Sequence, residues 1–302
     1  MQLLVIGGNG FVGSHFVAAA VDGGHNVTVV GRRTAAPSFA HGRRFHFQAG
    51  GIAAIASNHA LLKQSDVVLH FASSSTPSSA AYDPQRHMDE AVAQISSLLQ
   101  AMQTAGSDRL VYLSSGGSVY GDPDEIPIPE HHPLQPIGVY GEMKRAIEYR
   151  IMEHAAHTDL RPLIIRPSNP YGPGQRASTG FAVVPTFLQA VQDGRPVALF
   201  GDGTATRDYV HVQDVARFIL MAIEGEHTGP FNVGSGQGTS LLELLDVIER
   251  TTGKAAVRNL LPARSYDPAR IVLDITKARQ QFGWQPMVSL ADGIVQCMED
   301  IV

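Results

Sequence analysis

Short apolar runs recur through the first half of the chain, at residues 3–6, 27–30, 67–71, 110–113 and 163–165. Each is too brief for a helix and lacks the polar alternation of a half-exposed strand, so each predicts a strand buried on both faces. Between the later runs, residues 92–105 and 146–156 place apolar side chains three and four apart, the pattern of an amphipathic helix. Strand and helix alternating in this way predict an α/β fold, a doubly wound parallel (Rossmann) sheet with right-handed crossovers.

Beyond residue 166 the rhythm changes. Pro167, Pro170, Pro173 and several glycines break the pattern. A helix at 181–192, a strand at 197–200, a helix at 212–223 and a last short helix at 274–282, stopped by Gly283 and Pro286, follow. The expectation is a dinucleotide-binding domain over 1–168 and a smaller mixed C-terminal substrate lobe over 169–302. The lobe would close over the strand ends and leave a substrate cleft, and 207–234 would return to the first domain.

Composition narrows the classes. With 302 residues and 44% hydrophobic content, the chain can fill two cores. A net charge of -5 without runs of like charge gives no sign of nucleic-acid or membrane binding. The single cysteine, Cys297, excludes an internal disulfide framework and fits a reducing compartment. The opening apolar run lacks a basic flank and runs into glycines, and no stretch approaches the roughly 18 to 20 apolar residues of a membrane span. A soluble cytoplasmic protein is expected. The thirteen histidines show no metal-ligand spacing.

The candidate chemistry begins at Gly7-Gly8-Asn9-Gly10-Phe11-Val12-Gly13, where strand one must turn into helix one. Glycines there permit a tight turn and close backbone approach to a pyrophosphate, and the helix N-terminus supplies N–H groups and positive potential. Strand two ends in Gly31-Arg32-Arg33 instead of the acid that usually binds the ribose 2'-hydroxyl. A glycine leaves room and two arginines neutralise a 2'-phosphate, which favours NADP, with NAD as second choice. The bland alternative is a solvated basic loop.

Tyr140 and Lys144, four residues apart, share one face of a helix. An ammonium beside a phenol lowers its pKa from about 10 toward the working pH, so the tyrosine can pass protons to a substrate hydroxyl. The pair follows Ser114-Ser115-Gly116-Gly117-Ser118-Val119-Tyr120-Gly121 at the end of a central strand. Further along come 166–175 (RPSNPYGPGQ), 207–216 (RDYVHVQDVA), 231–234 (FNVG) and 282–286 (FGWQP).

Taken together these segments resemble the extended short-chain dehydrogenases/reductases of the NAD-dependent epimerase/dehydratase group, and within it the nucleotide-sugar 4-epimerases. The resemblance covers nearly the whole length. It implies that Phe71, Ala72, Ser73, Lys144 and Pro167 line the dinucleotide, that Asn169, Arg207 and Arg264 contact the pyrophosphate of a nucleotide-sugar substrate, and that two copies pair as a homodimer. The family's usual catalytic Ser/Thr position is Gly116 here, so Ser118, or else Ser115, must supply that hydroxyl. Other family positions read Gly51 after strand three, and Ala91 or Glu90 in the following helix. Gly117 and Ser118 stand where a dehydratase needs its acid and base and a decarboxylase its glutamate, and Cys297 is remote from the motif that 3,5-epimerisation uses. What remains is redox at a secondary alcohol: 4-epimerisation first, NADPH-dependent reduction of a nucleotide-linked 4-keto-sugar second, a low-turnover cofactor-binding regulator third.

Overall fold

The computed structural model describes residues 1–32, 45–73, 83–177, 182–263 and 268–301. Strands β1 (Gln2–Ile6), β2 (Asn26–Gly31), β3 (His46–Ala49), β4 (Val67–His70), β5 (Arg109–Leu113) and β6 (Arg161–Pro167) lie in one sheet in the order β6-β5-β4-β1-β2-β3. Each neighbouring pair is parallel. The chain winds outward from β1 through β2 to β3, then returns to the other side of β1 for β4. The reversal makes the carboxyl ends of β1 and β4 a topological switch point, where this architecture leaves a crevice for ligands.

Helices α1 (Phe11–Asp22), α2 (Ile52–Ala56), α3 (His59–Gln64), α4 (Pro84–Ala105), α5 (Gly116–Val119) and α6 (Val139–Ala155) follow in chain order. The helix expected at 92–105 starts eight residues earlier. Asp83 caps it by accepting from the Arg86 amide, Pro84 occupies its first turn, and Gly106 ends it in the left-handed region at φ 72°. Ile95, Leu98, Leu99 and Met102 of α4 meet Met143, Ile147 and Ile151 of α6 in one core with Leu4, Val68, Leu110 and Ile164 of the sheet. Burying a side chain of this size contributes roughly 1.5–3 kcal/mol, so the underside of the Tyr140 helix is a fixed surface.

The remainder adds β7 (Asn169–Tyr171), α7 (Val183–Gln192), β8 (Val197–Phe200), β9 (Thr206–His211), α8 (Val212–Glu224), β10 (Gly229–Val233), β11 (Gly238–Ser240), α9 (Leu241–Thr252), β12 (Arg258–Leu261), β13 (Arg270–Ile271), α10 (Thr276–Phe282) and α11 (Leu290–Ile301). Strand β10 joins the large sheet beside β6, giving seven strands among the described residues. Strand β9 is the centre of a mixed sheet, parallel to β7 and β13 and antiparallel to β11, and β8 pairs with β12. Phe187, Leu188, Leu244, Leu245, Ile248 and Ile294 gather α7, α9 and α11 into a separate core.

Contacts divide the chain into two units. One holds 1–115, 139–166 and 216–231; the other holds 116–138, 167–215 and 232–302. A division at 168 is thus replaced by an interleaved one, in which 116–138 fall in the second unit and the return segment is 216–231. No described helix is long and apolar enough to cross a membrane.

Candidate active site

In the first unit, the glycine loop is a turn that no other residue fits. Gly7 has φ +84°, and a Cβ on it would lie 2.5 Å from the Ala72 nitrogen; a Cβ on Gly13 would lie 2.4 Å from the Gly7 carbonyl. The Gly7 amide donates to Val30 O at 2.8 Å and the Gly10 amide to Gly7 O at 3.0 Å, tying β1, β2 and the loop together. Gly10 is the N-cap of α1 and offers no side-chain cap, so the N–H groups of Phe11, Val12 and Gly13 have no acceptor within the helix. Phe71, Ala72 and Ser73 follow β4 directly, and the Phe71 and Ala72 amides both donate to Ile6 O at the end of β1. Helix N–H groups without acceptors, presented by a tight glycine turn, fit the pyrophosphate of a dinucleotide.

The end of β2 differs from expectation. The room beside Gly31 is not open: a Cβ there would come within 2.6–2.8 Å of the amide nitrogen, amide oxygen and Cγ of Asn9. The Asn9 side chain stands in the space that the missing Gly31 side chain leaves, so that space is not vacant for a 2'-phosphate unless Asn9 turns aside. Arg32 is exposed. Arg33 and Arg264 lie outside the described residues, as do the loop positions 74–82.

Tyr140 and Lys144 sit on the first turns of α6. Lys144 is buried, with its ammonium donating to Leu113 O at 2.8 Å. That ammonium also lies 4.9 Å from the centre of the Tyr112 ring and 5.7 Å from that of Tyr140. Burial brings Lys144 down to about 8, against the charge of Glu148, which raises it. Burial pushes the Tyr140 phenol up to about 12. The sequence expectation was a phenol lowered by its lysine. In the protein alone desolvation decides the direction, so Tyr140 is a neutral phenol around neutral pH. Below the pair lies His70, registered opposite Tyr112 with the rings edge to face at 5.6 Å. Burial first and the Lys144 charge second bring His70 down to about 3, so it is neutral.

One turn beyond Lys144, Glu148 is buried against Arg166 of β6. The guanidinium donates from Nε at 3.1 Å and from its terminal nitrogen at 2.6 Å to one carboxylate oxygen, and Ser114 Oγ donates to the other. This ties α6 to the ends of β5 and β6. The sequence signal was there, since Tyr140, Lys144 and Glu148 repeat at i, i+4, i+8, but a glutamate two turns past a tyrosine suggests nothing without Arg166 beside it.

In the second unit, Ser118 lies half-buried in α5 and Ser115, the last residue of the first unit, is half-buried just before it. A Cβ on Gly117 would lie 3.0 Å from Ser168 O and 3.5 Å from the Asn169 side-chain oxygen, so this short helix abuts the start of β7. Pro167 is buried at the end of β6. The Asn169 amide donates to Asp208 O at 3.1 Å. Asn169 is registered opposite Tyr209, so alternation places Asn169, Tyr209 and Arg207 on one face of β7 and β9. Arg207 donates to Thr206 O and, among the described residues, has no carboxylate partner. The salt bridge that would make it purely structural is absent there.

Asp208 explains two of the sequence motifs. Its carboxylate is fully buried and accepts from Ser168 Oγ, from the amides of Ser235, Gly236 and Leu273, and from Ser235 Oγ, at 2.7–3.2 Å. Burial raises its pKa while these bonds oppose the rise. A Cβ on Gly234 would lie 2.3 Å from its oxygen, which is why 231–234 end in glycine. Asn232 is equally buried, accepting from the Tyr120 hydroxyl and donating to Ile128 O and Asp274 O. Asp214 takes the Met287 and Val288 amides and Trp284 Nε1 reaches its carbonyl, which anchors 282–286. These residues build the scaffold of the second unit.

Comparison with known proteins places this geometry. The sequence model of the NAD dependent epimerase/dehydratase family matches residues 3–234. A UDP-glucose 4-epimerase of Mycolicibacterium smegmatis is 35% identical over 99% of this chain and 98% of its own. Among solved structures, a UDP-glucose 4-epimerase of Thermotoga maritima with UDP-glucose superposes with a TM-score of 0.90, at 30% identity over 100% of this chain and 98% of its own. One of Stenotrophomonas maltophila, with bound NAD and formylated UDP-arabinopyranose, gives 0.92 at 29% identity over 99% and 97%.

Proposed function

Because this chain belongs to the NAD dependent epimerase/dehydratase family, we propose that it is a nucleotide-sugar 4-epimerase. The observation that carries the reading is the Tyr140–Lys144 pair, with the ammonium held on Leu113 O against two phenol rings, in a chain similar end to end to UDP-glucose 4-epimerases. We take the dinucleotide to be NAD(H), since the solved relative carries NAD; NADP as first choice lacks that support. Bound at the glycine loop, the dinucleotide supplies a reversible hydride acceptor for C4 of the sugar.

The chain's own residues do the rest. Tyr140 takes the C4 hydroxyl proton and returns it, the neutral phenol being the state that donates back to the keto oxygen. A positive charge arriving beside Tyr140 lowers its pKa from about 12 and makes it a base only when the site is loaded. Lys144 anchors that ring and holds the nicotinamide ribose. Ser118, or Ser115 in its place, donates to the sugar oxygen. Asn169 and Arg207 hold the pyrophosphate while the sugar turns over, and the lack of a described carboxylate beside Arg207 supports an anion there. Exposed Tyr149 and Met152 on α6 support pairing of two copies through that helix, and the buried Cys297, in no disulfide, is in keeping with the cytoplasm.

A second reading is NADPH-dependent reduction of a 4-keto-sugar, favoured by exposed Arg32. The two separate in one assay. UDP-glucose and UDP-galactose, or their N-acetyl forms, should interconvert without net change in nicotinamide absorbance, and Tyr140→Phe should abolish this while leaving dinucleotide binding intact. Stoichiometric NADPH oxidation by a 4-keto-sugar without epimer interconversion would instead establish the reductase.

A further inference from the structure

We propose that Asn9 is the residue that meets the adenosine ribose in this chain, and that its neutral carboxamide leaves the site only weakly selective between NAD(H) and NADP(H). The inference rests on the dinucleotide reading above. In this fold the ribose lies at the end of the second strand, where an NAD site usually carries an acid. That place is Gly31, with no side chain to offer. Its missing Cβ position is filled by the Asn9 carboxamide, whose nitrogen and oxygen lie 2.6 and 2.7 Å from where that atom would be. The glycine loop thus delivers to the end of β2 the polar group that the strand itself lacks.

Asn9 is half-buried, and among the described residues its side chain makes no hydrogen bond. A carboxamide offers both donor and acceptor, which is what the vicinal hydroxyls of a ribose require. Both groups are only half-buried, so a ligand can reach them without first breaking a bond within the protein. An acid at the same place would accept from the ribose hydroxyl but repel a 2'-phosphate; a carboxamide accepts without repelling, and exposed Arg32 follows directly on the strand. Discrimination against the phosphate is therefore lost without a dedicated phosphate pocket having to exist.

The test is equilibrium binding of NADH and NADPH, followed by cofactor fluorescence after any co-purified dinucleotide is removed. The native protein should bind the two within about tenfold of each other, the loss of one charge contrast. Asn9→Asp should keep NADH within about threefold and weaken NADPH by about tenfold or more, since only the second ligand meets like charge. Asn9→Ala should weaken both by about five- to tenfold, the loss of a neutral hydrogen bond. Gly31→Ala, which displaces the carboxamide, should behave like Asn9→Ala. An unchanged NADH-to-NADPH ratio in Asn9→Asp, or a native preference beyond about a hundredfold for either, would overturn the proposal while leaving the dinucleotide site standing. Failure of the native protein to bind either dinucleotide would overturn the parent reading and this one together.

Discussion

Glu148 and Arg166 offer the sharpest quantitative test of how the catalytic helix is held. Their side chains are only 4% and 6% exposed, and the guanidinium makes bonds of 3.1 and 2.6 Å to one carboxylate oxygen. Removing one partner of such a pair leaves the other charge buried without compensation, at a cost of about 3–5 kcal/mol. Glu148→Leu and Arg166→Met should each lose that much. The double variant Glu148→Leu/Arg166→Met removes both charges at once. It should recover most of the loss, because an apolar pair of similar volume is often neutral in such a place. What stays lost is the bond from Ser114, whose orphaned hydroxyl costs about 1–3 kcal/mol. Urea denaturation followed by far-ultraviolet circular dichroism measures all four proteins on one scale. The reasoning fails if the double variant loses the sum of the singles, about 6–10 kcal/mol, because the singles would then not report an uncompensated charge. It fails equally if either single costs less than about 1 kcal/mol, the value of an exposed pair.

Three further outcomes follow from the buried groups. Lys144 sits at about 8 when folded against 10.5 as a free side chain, so between those values the unfolded chain holds a proton that the folded chain does not. Stability should therefore rise with pH through that window, by on the order of 3 kcal/mol, and pH-dependent denaturation of Lys144→Met should lack the rise. His70 is lowered from 6.5 to about 3, so the unfolded chain again binds the extra proton in between, and stability should fall as pH drops from 6.5 toward 3. His70→Phe, which keeps a ring against Tyr112, should flatten this acid loss in thermal melts; an unchanged profile would mean the histidine is solvated. Gly234→Ala drives a methyl against the Asp208 carboxylate and should destabilise by about 1–3 kcal/mol in urea, whereas a native-like midpoint would show that the buried carboxylate can move aside.

The parallel strands were legible because burial on both faces writes itself as a short, mostly apolar run, and β1, β2, β4, β5 and β6 all carry one, with Thr28 in β2 and His70 in β4 as the polar members. Strand β3, His-Phe-Gln-Ala, is only partly buried and carries no such run, and β7, β11 and β13 are two or three residues long, too short for any period to show. Helix α6 begins at Val139, before the apolar period at 146–156 is established, so its first turns were legible only through the spacing of Tyr140 and Lys144. In the site, the glycine loop and Tyr140/Lys144 were legible because they are local: a turn and one helical repeat. Pairings made across the chain were not. Asp208 and Gly234 are 26 residues apart and explain each other only once β9 and β10 are folded. Gly31 misled for the opposite reason, since a sequence shows that a side chain is missing but not what has moved into its place.

The edge position of β10 has a consequence for how this protein is made. Strand β6 ends at Pro167, and the strand that covers its outer edge ends at Val233. During synthesis, the 66 residues that follow Pro167 up to Val233 must emerge before that edge can be sealed, roughly 3 to 13 s at ordinary translation rates. Through that interval the nascent sheet presents an apolar parallel strand with a row of unsatisfied amides and carbonyls, a template for pairing with any neighbouring chain. A chaperone that shields the edge of β6 for seconds would serve this chain during translation, until β10 takes that place. The exposure of β6 is a stage of synthesis that precedes the finished fold.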